Sequence, residues 1–113
     1  MWVMTTKGGF YSAIRKPDMP KDQIMVRARR KDDLDRLLKT IGSDSDIIST
    51  PKADYAFRVI IPVEAWAQYL YDSAMGIDYS NFKDASCKGD HARHEAYMDC
   101  WAALLRLQRT NLT

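Results

Sequence analysis

The chain has 113 residues, with 17 basic and 15 acidic side chains and an apolar fraction of 46%. This composition excludes a disordered chain, a collagen-like repeat and a small disulfide-stapled scaffold, and the length predicts one domain over residues 1–113. The net charge of +2 is too small to indicate a nucleic-acid binder by itself.

The chain shows no targeting or membrane signal. No apolar run approaches the about 20 residues that span a bilayer, and the N-terminus lacks the basic start and apolar core of a secretory signal. We therefore expect a cytoplasmic protein without membrane contacts. Its two cysteines should be free thiols, Cys87 in an exposed loop and Cys100 on a buried helix face.

The first third of the chain has the alternation of β-strands. Residues 2–5 and 10–15 flank adjacent glycines, Gly8 and Gly9, which predicts a hairpin. Residues 24–29 are the clearest half-buried strand, because apolar Ile24, Val26 and Ala28 alternate with Met25, Arg27 and Arg29.

The middle of the chain predicts one helix and two strands. Residues 31–41 carry an apolar stripe at helical spacing, and Gly42 follows as a stop signal. Residues 47–50 predict a short strand, and residues 55–61 predict a longer one that presents Tyr55 and Phe57 on the same face.

After Pro62 the apolar period changes from two to about 3.6, which predicts helices. One helix should end at Gly76, a short helix should open near residues 78–83, and the last should run over about residues 91–108. The order of elements predicts an α+β fold, a mostly antiparallel sheet of about five strands with helices on one face. The β-α-β-β-α stretch over residues 24–75 is partly ferredoxin-like. The predicted core comprises Val26, Leu34, Leu38, Phe57, Val59, Trp66, Leu70 and Trp101.

Five segments in order carry a family resemblance. They are Gly-Phe-Tyr-Ser at 9–12, Ile-Met-Val-Arg-Ala-Arg at 24–29, Asp-Tyr-Ala-Phe-Arg at 54–58, Asp-Tyr-Ser-Asn-Phe-Lys at 78–83 and His-Glu-Ala-Tyr at 94–97. Together they resemble a family of short bacterial and phage proteins without an assigned activity. The resemblance implies a single cytosolic domain and supplies no functional residue.

Arginines on the predicted strands suggest a binding face. Strand alternation places Arg27 and Arg29 on one side, and Tyr11, Arg15 and Arg58 could join them on neighbouring strands. Arginine forks suit phosphate or carboxylate, and tyrosine can stack on a base. The simpler interpretation, in which these arginines only cover a solvated face, is the one that we favour.

Two alternatives involve chemistry near the C-terminus. Cys87, Asp90, His91, His94 and Cys100 are residue types that bind zinc or form a Cys-His-Asp catalytic set. No paired cysteine motif, nucleophile elbow or phosphate loop accompanies them. The sequence therefore predicts no metal, no cofactor and no catalytic residue, and an enzyme is the less favoured class.

Tyr69 and Tyr71 flank Leu70 on a predicted helix, so at least one of them should be exposed and could anchor a partner. The favoured function is a non-enzymatic binding or regulatory module that contacts another protein, with a homodimer as one form. The first alternative is nucleic-acid or nucleotide binding through the arginines. The second is a small Cys/His hydrolase or metal protein.

Overall fold

A computed structural model describes residues 1–110. Its strands are β1 (Trp2–Met4), β2 (Phe10–Ile14), β3 (Gln23–Ala28), β4 (Ile48–Ser49) and β5 (Phe57–Pro62). Its helices are α1 (Lys31–Ile41), α2 (Val63–Met75), α3 (Phe82–Ser86) and α4 (His91–Thr110). The chain divides into two compact units, Met1–Asp78 and a second that begins at Tyr79.

The first unit is built on one antiparallel sheet with the strand order β1-β2-β3-β5-β4. Both β3 and β4 pair antiparallel with β5, so they run parallel to each other, and α1 connects them. The predicted α+β class and antiparallel sheet are confirmed. The likeness to a ferredoxin arrangement is loose, since it is limited to this split β-α-β portion.

The core of the first unit lies between one sheet face and the helices α1 and α2. The apolar stripe of α1 packs there with Trp66 and Tyr69 of α2. The sheet contributes alternate residues of its three central strands, namely Tyr11, Ala13, Val26, Ala28, Val59 and Ile61. Removing these side chains from water is the main stabilising contribution to the unit.

The prediction that Trp101 belongs to the core is wrong, because its side chain is 53% exposed. The 20-residue helix α4 has one buried residue, Tyr97, which stacks on Phe82 of α3 with ring centroids 5.8 Å apart. Since α3 has only five residues, its packing on α4 is limited to the N-terminal part of the longer helix. Among residues 1–110, no helix is both long and apolar enough to cross a membrane.

The expected environments of the two cysteines are reversed. Cys87 is buried at the end of α3, where its Sγ lies 3.3 Å from the Ser86 hydroxyl. Cys100 is exposed on α4, because the face of α4 that was expected to be buried points to solvent. Both thiols are free.

Candidate binding surface on the sheet

The sheet face opposite α1 and α2 has a row of side chains across all five strands. The register aligns Trp2 with Ser12, Ser12 with Arg27, Arg27 with Arg58 and Arg58 with Ile48. Directly opposed residues on neighbouring strands point to the same face of a sheet. The register therefore brings together residues that are distant in sequence.

Two arginines of this face stack on one tyrosine. The guanidinium carbons of Arg27 and Arg29 lie 4.4 Å and 4.1 Å from the centroid of the Tyr55 ring. This ring is only 4% exposed. Arg27 also donates from Nη2 to the Ser12 hydroxyl at 2.7 Å, and Arg29 donates from Nη1 to the backbone oxygen of Asp54. Cation–π contacts of this kind hold the guanidinium planes in fixed positions.

Arg58 lies on the same face, on β5, and its polar contacts are longer than the one between Arg27 and Ser12. Its Nη2 lies 3.3 Å from a carboxylate oxygen of Asp54, and its Nε donates to the Thr50 hydroxyl at 3.3 Å. The Asp54 side chain is 68% exposed whereas the Arg58 side chain is 14% exposed, so water screens this ion pair from the Asp54 side only. The nearest partner of Nη1 is the Met25 thioether at 3.8 Å.

Exposed apolar side chains border these arginines. Trp2 is 74% exposed although its ring lies perpendicular to that of Phe10 with the centroids 5.9 Å apart, and Ile48 and Ile60 are also exposed. Ile60 belongs to this face because alternation along β5 places it with Arg58. We call the surface formed by these residues the arginine face: Trp2, Arg27, Arg29, Ile48, Arg58 and Ile60.

The expectation that Tyr11 shares a face with these arginines is wrong. Ser12 is the residue that opposes Arg27, so alternation directs Tyr11 to the opposite face, where it is fully buried. Its hydroxyl donates to the backbone oxygen of Asp33 at 2.7 Å. Burial raises the pKa of the Tyr11 hydroxyl above its ordinary value, and the neighbouring Tyr69 raises it further.

Arg15 is exposed but lies just beyond the end of β2. Its guanidinium donates to the backbone oxygens of Gln23 and Lys21 at 3.1 Å and 3.0 Å. These bonds connect the chain after β2 to the start of β3. Arg15 therefore stabilises the loop between β2 and β3, and it is not aligned with the row that contains Arg27 and Arg58.

The two tyrosines of α2 have different environments. Tyr71 is exposed, which confirms that at least one of the pair faces solvent. Tyr69 is buried, with its hydroxyl 2.7 Å from the Thr5 hydroxyl, so it is a core residue and presents no surface to a partner. A binding role for Tyr71 stays a prediction.

Sequence reasoning missed a buried polar network at the turn between β1 and β2. Asp33 is only 2% exposed and accepts a hydrogen bond from the Phe10 backbone N–H at 3.2 Å. Arg36 donates to the other carboxylate oxygen of Asp33 and to the Gly8 backbone oxygen. The network fixes the turn against α1, and thereby fixes the strand that carries Trp2.

The two histidines of the second unit lie against different acidic side chains. His91 lies 3.2 Å from Glu95, and His94 lies 3.8 Å from Asp84, so each histidine has a different acidic neighbour. Within the part of the chain that the structure describes, no group of three His, Cys, Asp or Glu residues is placed to hold a metal ion.

Comparisons with known proteins found no matching family model, no similar curated protein and no similar solved structure. The geometry of the arginine face is therefore the basis for a functional proposal.

Proposed function

We propose that this protein is a non-enzymatic binding module whose arginine face contacts an acidic, partly apolar segment of another protein. The observation that carries the proposal is the composition of that face. Three arginines and three exposed apolar side chains share one side of the sheet, outside the core that α1 and α2 cover.

Charge complementarity selects the partner's chemistry. Arg27, Arg29 and Arg58 contribute three positive charges, and Asp54, the acidic side chain that pairs with Arg58, contributes one negative charge. Three minus one leaves two positive charges on the face. Such a patch favours encounter with an acidic partner, mainly through a faster association rate at low salt.

The surroundings of the arginines favour a protein partner over a single-stranded nucleic acid. Stacking of bases requires aromatic rings with accessible faces. The Tyr55 ring is covered and already stacked with Arg27 and Arg29. Trp2, Ile48 and Ile60 instead provide exposed apolar area next to arginine, and aromatic residues and arginine are enriched in protein interfaces.

Nucleic-acid or nucleotide binding is the second candidate function. It is favoured by one observation, the exposed indole of Trp2 in the same cross-strand row as Arg27 and Arg58. An indole beside arginine can stack on a single base while the arginines contact phosphates.

A selection experiment tests the leading proposal. A displayed library of random 12-residue peptides is selected on the purified full chain, and enriched peptides are measured by fluorescence anisotropy. We expect enriched sequences that combine Asp or Glu with apolar residues, and affinities that fall as salt is raised. Trp2→Ala and Arg29→Gln should each weaken binding roughly tenfold, because both residues are exposed on the arginine face.

Arg106→Gln is the matched control, since it removes one positive charge from an exposed position on α4. The proposal is wrong if no acidic peptide family is enriched, or if the control weakens binding as much as Arg29→Gln. Tight, salt-sensitive binding of a 12-nucleotide oligothymidine, with no enriched peptide, would establish the second candidate instead.

A further inference from the structure

We infer that Arg27 and Arg58 form a site for one phosphate-monoester group, carried by a phosphorylated side chain of the protein partner. The inference rests on the proposed function, and it specifies which acidic group the arginine face recognises. It is carried by the pairing of these two arginines and by donors that the protein itself leaves without strong acceptors.

The two arginines oppose each other directly across β3 and β5. Side chains in this arrangement leave the sheet next to each other, with Cβ atoms about 4.5–5.5 Å apart, and like charges there destabilise the strand pair. Of these two arginines, Asp54 pairs only with Arg58, through a carboxylate that is largely exposed. An anion placed between the two guanidinium groups would remove this repulsion.

Both guanidinium groups have N–H groups that lack a good acceptor. The Nε of Arg27 is buried without a hydrogen-bond partner. The Nη1 of Arg58 has only the Met25 thioether, which is a weak acceptor. A buried donor without an acceptor destabilises the folded state, so an oxyanion that accepts from this pair would stabilise it.

The stacking on Tyr55 leaves the donors of Arg27 usable. A guanidinium contacts an aromatic ring through its flat face, whereas its N–H groups point outward in its own plane. The contact at 4.4 Å therefore holds Arg27 in position without consuming the fork that binds oxyanions. Holding the side chain in place before binding reduces the entropy lost on association.

The charge on the face favours a dianion over a carboxylate. The three arginines of the face and the carboxylate of Asp54 together have a net charge of +2. A carboxylate ligand brings only one negative charge. A phosphate monoester carries about −1.5 to −2 at pH 7 and offers three acceptor oxygens, enough for the forks of two arginines.

Matched peptides test the inference. One enriched acidic peptide is synthesised with serine, aspartate or phosphoserine at each acidic position in turn, and binding to the full chain is measured by calorimetry. For one position we expect the phosphoserine peptide to bind roughly tenfold more tightly than the aspartate peptide at pH 7.5. This advantage should shrink at pH 5, because protonation near pH 6 removes charge from the phosphate.

The double variant Arg27→Lys, Arg58→Lys keeps both charges and removes both forks. It should lose the phosphoserine advantage, measured as the ratio of its affinities for the phosphoserine and aspartate peptides, and Arg106→Gln should keep that ratio at the parent value. A second readout uses the parent alone. Inorganic phosphate should shift the arginine Nε–H resonances of Arg27 and Arg58, and acetate at the same ionic strength should shift them much less.

The outcomes separate the two proposals. Equal binding of phosphoserine and aspartate peptides at every position overturns the phosphate site and leaves the proposed function standing. If phosphate shifts the resonances of the two arginines but no peptide binds, the phosphate group is not carried by a protein partner. In that case, tighter binding of adenosine monophosphate than of inorganic phosphate would identify a nucleotide as the ligand. If neither phosphate nor any peptide binds, both proposals are wrong.

Discussion

Replacing Gly8 by alanine should strongly destabilise the first unit, because the turn between β1 and β2 has no space for a methyl group. A Cβ atom on Gly8 would lie 2.2 Å from the Tyr69 hydroxyl, 2.5 Å from the Tyr11 hydroxyl and 2.6 Å from the Thr5 hydroxyl. All three hydroxyls are buried, and the one on Thr5 accepts the Gly8 backbone N–H at 3.1 Å. The methyl group can be accommodated only by displacing this network.

The magnitude follows from two contributions. Overpacking a buried site costs about 1–3 kcal/mol, and disturbing the hydrogen bond between Thr5 and Tyr69 adds about 1 kcal/mol. We therefore expect Gly8→Ala to lower the free energy of unfolding by about 2–4 kcal/mol. For a unit of this size, the loss corresponds to a fall in Tm of roughly 10–25 °C.

Thermal melts followed by near-ultraviolet circular dichroism measure this effect. The control is Gly42→Ala, where nothing lies within 4 Å but φ is 69°. Its left-handed backbone should cost alanine about 1–2 kcal/mol without any steric contact. Tyr69→Phe should partly rescue Gly8→Ala by removing the nearest hydroxyl. A Tm for Gly8→Ala within about 3 °C of the parent would show that this turn accommodates a methyl group.

Three further predictions concern burial. Under native conditions a thiol-reactive probe should label the exposed Cys100 before the buried Cys87, and equal rates would contradict their assigned environments. Trp66→Ala should cost about 3–5 kcal/mol in urea unfolding, whereas Trp101→Ala should cost under about 1 kcal/mol, and similar losses would place Trp101 in a core. Because burial raises the pKa of the Tyr11 hydroxyl above 10, its contribution to stability is complete below pH 10 and declines as the pH rises further. Urea midpoints should therefore fall more steeply with pH above pH 10 in the parent than in Tyr11→Phe. Equal pH dependence in the two proteins would show that ionisation of Tyr11 does not affect stability.

Elements that depend on local signals could be predicted from the sequence. Helix α1 has the predicted bounds, since its apolar stripe and the glycine after it are contained in 12 consecutive residues. The alternation of β3 correctly separated buried Val26 from Arg27 on the opposite face. In both cases the periodicity within one segment determines which side is buried.

The incorrect predictions concern features that depend on contacts with residues distant in the sequence. In β2, apolar and polar residues occur on both faces, so only the pairing of Ser12 with Arg27 shows that Tyr11 is buried. In α4, the apolar stripe is genuine, but the short α3 covers little of it and Trp101 is exposed. Asp33 has an ordinary position in the first turn of a helix, and its burial depends on a turn more than 20 residues earlier.

The most direct test of the proposed contact surface is a nuclear magnetic resonance titration of the labelled full chain with an enriched acidic peptide. The largest shifts should map to the Trp2 indole, the guanidinium groups of Arg27 and Arg58 and the backbone of β5. Residues of α4 should shift little. Shifts concentrated on α4 or around Tyr71, with the arginine face unchanged, would show that the peptide binds elsewhere on the protein.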